Sequence, residues 1–163
     1  AGDAADAGDR AAYDRSYPPE QGDGLTPEGR SAEWQESFAL DNELPIAAPL
    51  AAGGVLYVQT FAWSPDARTV SVGIPGNLPR KLWVNGRLAV DCYSHRPIRP
   101  NYNGDGEAYA EVTLRPGWNE LLIKYVRTGD APPAAGHLVI TTPDNLRHGL
   151  VDLGWTRLPW DQD

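Results

Sequence analysis

The sequence has 163 residues, 41% of them hydrophobic, and its 17 glycines and 15 prolines indicate a turn-rich protein with enough residues for one domain and a full core. Its formal net charge of -8 argues against nucleic acids and anionic membranes as partners, because binding to phosphate groups draws on clustered cations. No apolar run approaches the roughly 18 to 20 residues of a membrane span, so no membrane insertion is expected.

The first part of the chain, residues 1–32, is predicted to be an extended N-terminal arm or linker, followed by one domain over 33–163. These residues are rich in Ala, Gly and Asp, continue into YPPEQGDGLTPEG, and show no sustained period of 2 or 3.6 residues. The sequence begins without Met and on small residues, which is typical of a chain processed after secretion or of a module of a longer protein. A secreted location is therefore expected.

Short segments rich in strand-forming residues recur from position 54 onward, separated by Gly and Pro. Asn85-Gly86 between two apolar runs is the strongest local signal, because a two-residue hairpin turn needs positive φ at both positions. In an uninterrupted hairpin Leu82 lies opposite Ala89. This spacing predicts an all-β fold, an antiparallel sandwich or barrel. The predicted strands are 54–63, 68–74, the hairpin 81–93, 108–114, 118–127 and 136–142, with 150–161 as a further candidate that carries Trp155.

Three separated motifs carry a family resemblance. In chain order they are Ser64-Pro65 at a strand end, Trp83-Val84-Asn85-Gly86 at the hairpin, and Leu114-Arg115-Pro116-Gly117-Trp118-Asn119 before Leu121, Leu122 and Lys124. Together they resemble the galactose-binding-like β-sandwich, the jelly-roll accessory domain found beside glycoside hydrolases and other secreted carbohydrate-active enzymes. The resemblance covers residues 54–142 and implies a jelly-roll sandwich that is non-catalytic. Some such domains bind sugars, and others only pack against a neighbouring domain.

The long polar loop after the hairpin combines aromatic side chains with planar polar groups. An aromatic ring covers the apolar face of a pyranose, while amide and guanidinium groups bond its hydroxyls. The alternative is that the tyrosines cover the sandwich edge and the arginines are solvated or paired with carboxylates. Among the tryptophans, Trp83 and Trp118 belong to the fold motifs and are expected in or beside the core. The predicted ligand-binding residues are Tyr93, His95, Arg96, Arg99, Asn101, Tyr102, Trp63 and Trp155.

The same loop contains oxygen ligands at alternate positions, Asn101, Asn103 and Asp105, followed by Gly106. This spacing resembles the start of a calcium-binding loop, in which the Gly permits a sharp bend around the cation. The resemblance fails at Val112, which stands where the bidentate Glu is expected, so a plain Asn/Gly-rich loop is the alternative. We expect that no cofactor is required, with a structural calcium as the alternative.

No arrangement of residues in the sequence predicts catalysis. Ser94 and His95 are adjacent but lack the G-x-S-x-G context, and His137 and His148 have no ligand spacing around them. Cys92 is the single cysteine, which excludes an internal disulfide. We therefore expect a non-catalytic module that binds carbohydrate or docks beside a catalytic domain. The alternative is a structural or assembly subunit of an extracellular complex or filament, joined through its N-terminal arm and sheet edges.

Overall fold

The computed structural model describes residues 2–21, 34–35, 43–100, 106–127, 134–143 and 153–156, with side chains described from residue 7 onward and excluding that of residue 156. The fold is mostly β, which confirms the predicted all-β class. In chain order the elements are α1 (Gly2–Asp14), a 3-10 turn (Pro18–Gln21), β1 (Gly54–Ser64), β2 (Arg68–Gly73), β3 (Arg80–Val84), β4 (Arg87–Cys92), β5 (Tyr109–Leu114), β6 (Gly117–Arg127), β7 (Val139–Thr141) and β8 (Gly154–Thr156).

The strands of the described ranges form two antiparallel sheets that share one apolar core. The larger sheet has the order β4-β3-β6-β1-β8 and the smaller has the order β5-β2-β7. Because side chains alternate between the two faces of a strand, one face of each sheet supplies the core, and the other face of the larger sheet carries different residues. The core contains Leu82, Leu121 and Ile123 from the larger sheet and Val70 and Val72 from the smaller one. The arrangement is that of a β-sandwich.

The strand predictions hold for each of the segments that the sequence indicated, including the tail. Residues 154–156 add the edge strand β8 beside β1, and Trp155 lies opposite Ala62. The turn before β6 has Gly117 at a φ of 87°, as a type II turn with Pro116 in front of it requires. Strand β7 is shorter than predicted, at three residues.

The hairpin forms at Asn85-Gly86, with both residues at positive φ, 51° and 76°. Its register contains an irregularity that the sequence did not indicate: Leu82 pairs with Val90, and not with Ala89 as predicted. The extra residue is a β-bulge, which shifts the strand by one position. The shift places Val90 on the same face as Leu82, and both side chains are buried in the core.

The side chain of Asn119, which is fully buried, joins the hairpin to the turn that precedes β6. Its Nδ2 donates to the carbonyls of Arg115 and Gly117 at 2.9 and 3.0 Å. Its Oδ1 accepts from the backbone N–H of Arg115 and from Nδ2 of Asn85. The Asn-Gly and Gly-Trp-Asn motifs of the sequence therefore form one hydrogen-bonded unit.

The N-terminal part of the chain differs from the prediction of an extended arm, because residues 2–14 form the helix α1. A 13-residue helix that contains Gly and Asp is marginal in isolation, so contacts with the sheet must stabilise it. Tyr13, which is 1% exposed, supplies such a contact. The rest of the predicted arm, 22–32, lies outside the described residues. Neither α1 nor any other helix in the described ranges has the length and apolar character needed to cross a bilayer.

Candidate functional site

The outer face of the larger sheet, which is turned away from the core, carries a row of aromatic side chains. Trp63 on β1 lies directly opposite Trp118 on β6, and the next pair on the same face is Phe61 opposite Glu120. None of these side chains belongs to the core cluster, and each is half-buried. We call this surface the aromatic face. Its residues are Gln59, Phe61, Trp63, Trp83, Trp118 and Glu120.

The aromatic face has indoles at two places with a polar pair between them. Directly opposed residues such as Trp63 and Trp118 have Cβ atoms about 5 Å apart. Trp83 aligns with position 122 of β6, four residues from Trp118, which separates the two places by about 13 Å along the strand. Glu120 lies between these two places along β6, and its Oε1 accepts a hydrogen bond from Nε2 of Gln59 on β1 at 2.6 Å. The surface therefore offers flat apolar rings flanking an amide and a carboxylate.

The two tryptophans predicted from the sequence as ligand residues occupy different faces of the larger sheet. Trp63 lies opposite Gly154, where an added Cβ would come within 3.4 Å of the Trp63 Cβ, so the glycine leaves room beside the indole. Trp155 lies opposite Ala62, which faces the core, and it is 49% exposed at the sheet edge. Alternation along a strand thus separates Trp155 from the aromatic face.

Tyr93, the first aromatic residue of the predicted loop site, packs against α1. Its ring meets that of Tyr13 edge to face, with centroids 5.0 Å apart, and that of His95 at 5.5 Å. The guanidinium of Arg10 lies 4.7 Å from the Tyr93 ring centroid. The chain's own helix therefore packs against this ring.

The charged residues of the same loop pair with carboxylates or face solvent. Arg96 Nη2 lies 3.2 Å from Glu107 Oε1, with both side chains exposed. His95 Nε2 lies 3.7 Å from Oδ2 of Asp9, a buried side chain of α1. Arg99 is exposed. The other predicted loop ligands, Asn101 and Tyr102, and the calcium candidates Asn101, Asn103 and Asp105, lie outside the described residues.

Among the residues that the structure describes, no three His, Cys, Asp or Glu side chains come together in a way that could hold a metal ion. Gly106, which follows the calcium candidates, has a φ of 103°. Positive φ suits Gly at a sharp bend, whether or not a cation is bound.

A second polar cluster, which the sequence did not predict, lies on the outer face beside the aromatic face. Lys124 is fully buried, and its Nζ donates to the backbone carbonyls of Tyr13 and Arg15 at 3.1 and 2.6 Å and to Glu20 Oε1 at 3.0 Å. Tyr57 donates its hydroxyl to the same carboxylate oxygen at 2.5 Å. The ammonium thus meets the C-terminal end of α1, where the helix dipole favours a cation.

The protonation equilibria of this cluster follow from burial and from its hydrogen bonds. Burial lowers the pKa of Lys124, and the nearby Glu20 carboxylate only partly offsets that effect. Burial acts to raise the pKa of Glu20, but hydrogen bonds from Tyr57 and Lys124 outweigh it and hold the pKa below its ordinary 4.5. Burial and the bond to Glu20 raise the pKa of Tyr57. Glu20 is therefore ionised at neutral pH.

Glu20→Gln is expected to destabilise the protein by about 1 kcal/mol at pH 7, because an amide cannot replace a carboxylate that accepts charged and neutral hydrogen bonds. A carboxyl group with a lowered folded-state pKa contributes stability above its ordinary pKa, and that stability is lost as the pH falls through the lowered value. Urea unfolding at pH 7 and pH 3 should show the difference between wild type and Glu20→Gln shrinking toward zero in acid. A difference of equal size at both pH values would contradict this account.

Glu107→Gln serves as the matched control for Glu20→Gln. Glu107 also pairs with a basic side chain, Arg96, but both are exposed. Exposed pairs contribute little to stability because water and salt screen them. This variant should unfold at the same urea concentration as the wild type at either pH.

The aromatic face was only partly predictable from the sequence. The alternation in WNELLIK places Trp118, Glu120 and Lys124 on one side and Asn119 on the other, and that signal is visible in the sequence. The positions of Trp83 and Trp118 in the fold motifs instead suggested a place in or beside the core for both, whereas both lie half-buried on the outer face, outside the core cluster. No protein-family model, curated protein or solved structure matches this chain.

Proposed function

We propose that this chain is a non-catalytic carbohydrate-binding β-sandwich module whose glycan site is the aromatic face. The observation that carries the proposal is the opposed pair Trp63 and Trp118, with Trp83 farther along the same face and the Gln59–Glu120 hydrogen bond between them. Indole rings cover the apolar faces of sugar rings, and amide and carboxylate groups bond sugar hydroxyls. The aromatic face provides both stacking and hydrogen-bonding contacts on a surface that extends beyond one sugar residue.

The charge of the surface favours one class of glycan. Glu120 places a carboxylate in the middle of the face, and the chain has a formal net charge of -8. Acidic sugars would be repelled, so the proposed ligand is a neutral oligosaccharide. A shallow site of this kind binds with about millimolar to micromolar affinity, and it becomes useful when it tethers a neighbouring catalytic domain to its substrate.

A jelly-roll sandwich, a secreted location and a catalytic neighbour belong to the same proposal. Their support is the resemblance of the hairpin and Gly-Trp-Asn motifs to accessory domains of secreted carbohydrate-active enzymes. The structure adds that these two motifs meet through Asn85 and Asn119, next to the aromatic face. This hydrogen-bonded unit would in this way position the proposed glycan site.

Trp63→Ala is expected to weaken binding of a neutral oligosaccharide at least tenfold, because it removes one ring of the opposed pair. Trp155→Ala is the matched control, since Trp155 is a half-exposed tryptophan of the neighbouring strand on the other face. The control should change the affinity less than twofold. The ligand would be chosen from a glycan array, and the affinities would be measured by isothermal titration calorimetry.

Two outcomes would overturn the assignment of the glycan site. Equal losses of affinity in Trp63→Ala and Trp155→Ala would show that the aromatic face is not the site. A large loss of affinity in Tyr93→Ala alone would show that the site is the loop predicted from the sequence. If the wild-type chain binds no glycan on the array and gives no heat with neutral oligosaccharides, the proposed function itself is wrong. Circular dichroism of each variant separates lost binding from lost folding.

A further inference from the structure

The two lysines of the chain lie side by side on the outer face, beneath the N-terminal segment, residues 7–21. Lys81 on β3 is directly opposite Lys124 on β6. The Lys124 side chain is wholly buried, and its three hydrogen-bond acceptors all belong to the N-terminal segment. The ring of Tyr13 lies 4.3 Å from Lys81 Nζ, and the ring of Tyr17 lies 4.8 Å from Lys124 Nζ. We call the sheet surface that contacts this segment the lysine site.

The N-terminal segment complements the lysine site in charge and in shape. It supplies the carbonyl end of α1, the Glu20 carboxylate and two tyrosine rings, which are all groups that attract an ammonium. The Tyr13 hydroxyl reaches across the sheet and donates to Asp91, and Tyr57 donates to Glu20. The contacts of the segment reach four strands: β1 through Tyr57, β3 through Lys81, β4 through Asp91 and β6 through Lys124. The segment therefore lies on the sheet through side-chain and carbonyl contacts of the kind that bind a peptide to a protein surface.

The N-terminal segment owes its conformation to these contacts. Helix α1, whose residues from 7 onward belong to the segment, has 13 residues with two glycines and lies near the lower limit of length for an isolated helix. Residues 22–42 join the segment to residue 43, ahead of β1, and a stretch of that length spans on the order of 70 Å when fully extended. Such a length permits the segment of one copy to reach the sheet of a neighbouring copy. The covalent connection therefore does not dictate which copy receives the segment.

We infer that the lysine site is a peptide-binding surface and that its partner, besides the chain's own N-terminal segment, is the same segment of a second copy. The inference is independent of the proposed glycan binding. Recognition requires Tyr13 and Glu20 on the segment and Lys124 on the sheet. Two copies that exchange their segments would each satisfy the lysine site of the other, which is the geometry of a domain-swapped dimer.

The chain's own N-terminal segment competes with that of a second copy for the lysine site, and this competition determines how readily the exchange is observed. A tethered segment is present at its own site at about millimolar effective concentration. A free peptide therefore competes poorly with the intact segment, and its apparent affinity falls with the fraction of sites that are open. A substitution that weakens the chain's own segment raises that fraction. The same substitution should therefore strengthen binding of an added wild-type peptide.

The test uses a fluorescent peptide of residues 7–21 and the full-length chain. Tyr13→Ala in the chain weakens the intramolecular contact, and the peptide is expected to bind this variant at least tenfold more tightly than it binds the wild type, as measured by fluorescence anisotropy. Adding Lys124→Met to the Tyr13→Ala chain should reverse the gain at least tenfold. A control peptide that carries both Tyr13→Ala and Glu20→Gln should bind neither chain measurably.

The milder chain variant Glu20→Gln keeps the test decisive where Tyr13→Ala unfolds the chain. This substitution removes the carboxylate that accepts a hydrogen bond from Lys124 and leaves both tyrosine rings in place. The variant is expected to bind the peptide more tightly than the wild type does. The inference is overturned if the folded variants do not bind the peptide, or if Lys124→Met and the control peptide leave binding unchanged. Light scattering of Tyr13→Ala mixed with wild type should also show a complex of two chains.

Discussion

Asn119→Ala is expected to lower the free energy of unfolding by about 3 kcal/mol. The substitution removes an amide that is fully buried and that bonds both ends of the turn before β6. It also removes the partner of Asn85 at the hairpin. The carbonyls of Arg115 and Gly117 then lose the donor that they have in these partly buried hydrogen bonds, and polar groups left without a partner are costly.

Urea unfolding followed by circular dichroism measures the effect of Asn119→Ala, and two further variants interpret it. Asn119→Asp keeps an oxygen acceptor for the Arg115 N–H but loses the donors, so it should also be strongly destabilised. Thr113→Ala, an exposed substitution on β5, should change the free energy of unfolding by less than about 0.5 kcal/mol. If Asn119→Ala unfolds like Thr113→Ala, the proposed hydrogen-bonded unit does not stabilise the fold.

Arg80→Ala is expected to destabilise the protein by about 3 kcal/mol as well, through a different part of the fold. Arg80 is fully buried, and its guanidinium donates to the carbonyls of Ile74 and Leu78 in the connection between β2 and β3. That connection joins the smaller sheet to the larger one. The substitution leaves two buried carbonyls without a donor and also opens a cavity at the end of the core.

Arg80→Met separates the contribution of packing from that of the charge. Burying a guanidinium costs solvation free energy, and its Nη2 has no hydrogen-bond partner within the described part of the chain. Met fills much of the same volume without that cost, so Arg80→Met should retain more stability than Arg80→Ala. Thermal unfolding of both variants compares them. Equal destabilisation would mean that the carbonyl bonds alone, rather than the filled volume, determine the effect.

The strands and turns were predictable from sequence because their signals are local. A two-residue turn at Asn85-Gly86 depends on the φ preferences of those two residues, and the turn at Gly117 depends on one glycine after a proline. The β-bulge near Leu82 was not predictable in the same way. The bulge arises because it moves Val90 to the core face, where its side chain is buried. That burial depends on how the two sheets pack together and not on the residues of the hairpin itself.

Helix α1 was missed because its stability is not local. Its sequence contains residues that favour turns, and the contacts that stabilise it come from Lys124 and Asp91, far along the chain. The candidate site likewise combines a local signal that the sequence carries with long-range contacts that it does not. Alternation predicts that Trp118 and Lys124 share a face, but it does not say which face the second sheet covers. For Tyr93 the sequence indicated an aromatic residue in a loop and gave no sign that α1 covers its ring.

The burial of both lysines has a consequence for chemical labelling. Amine-reactive reagents modify a lysine through its uncharged amine and only when that amine is accessible, and Lys81 and Lys124 have side-chain exposures of 15% and 0%. The folded protein should therefore resist lysine acylation until the N-terminal segment lifts from the sheet. The rate of Lys124 acylation, measured by mass spectrometry, would then report how often that segment opens.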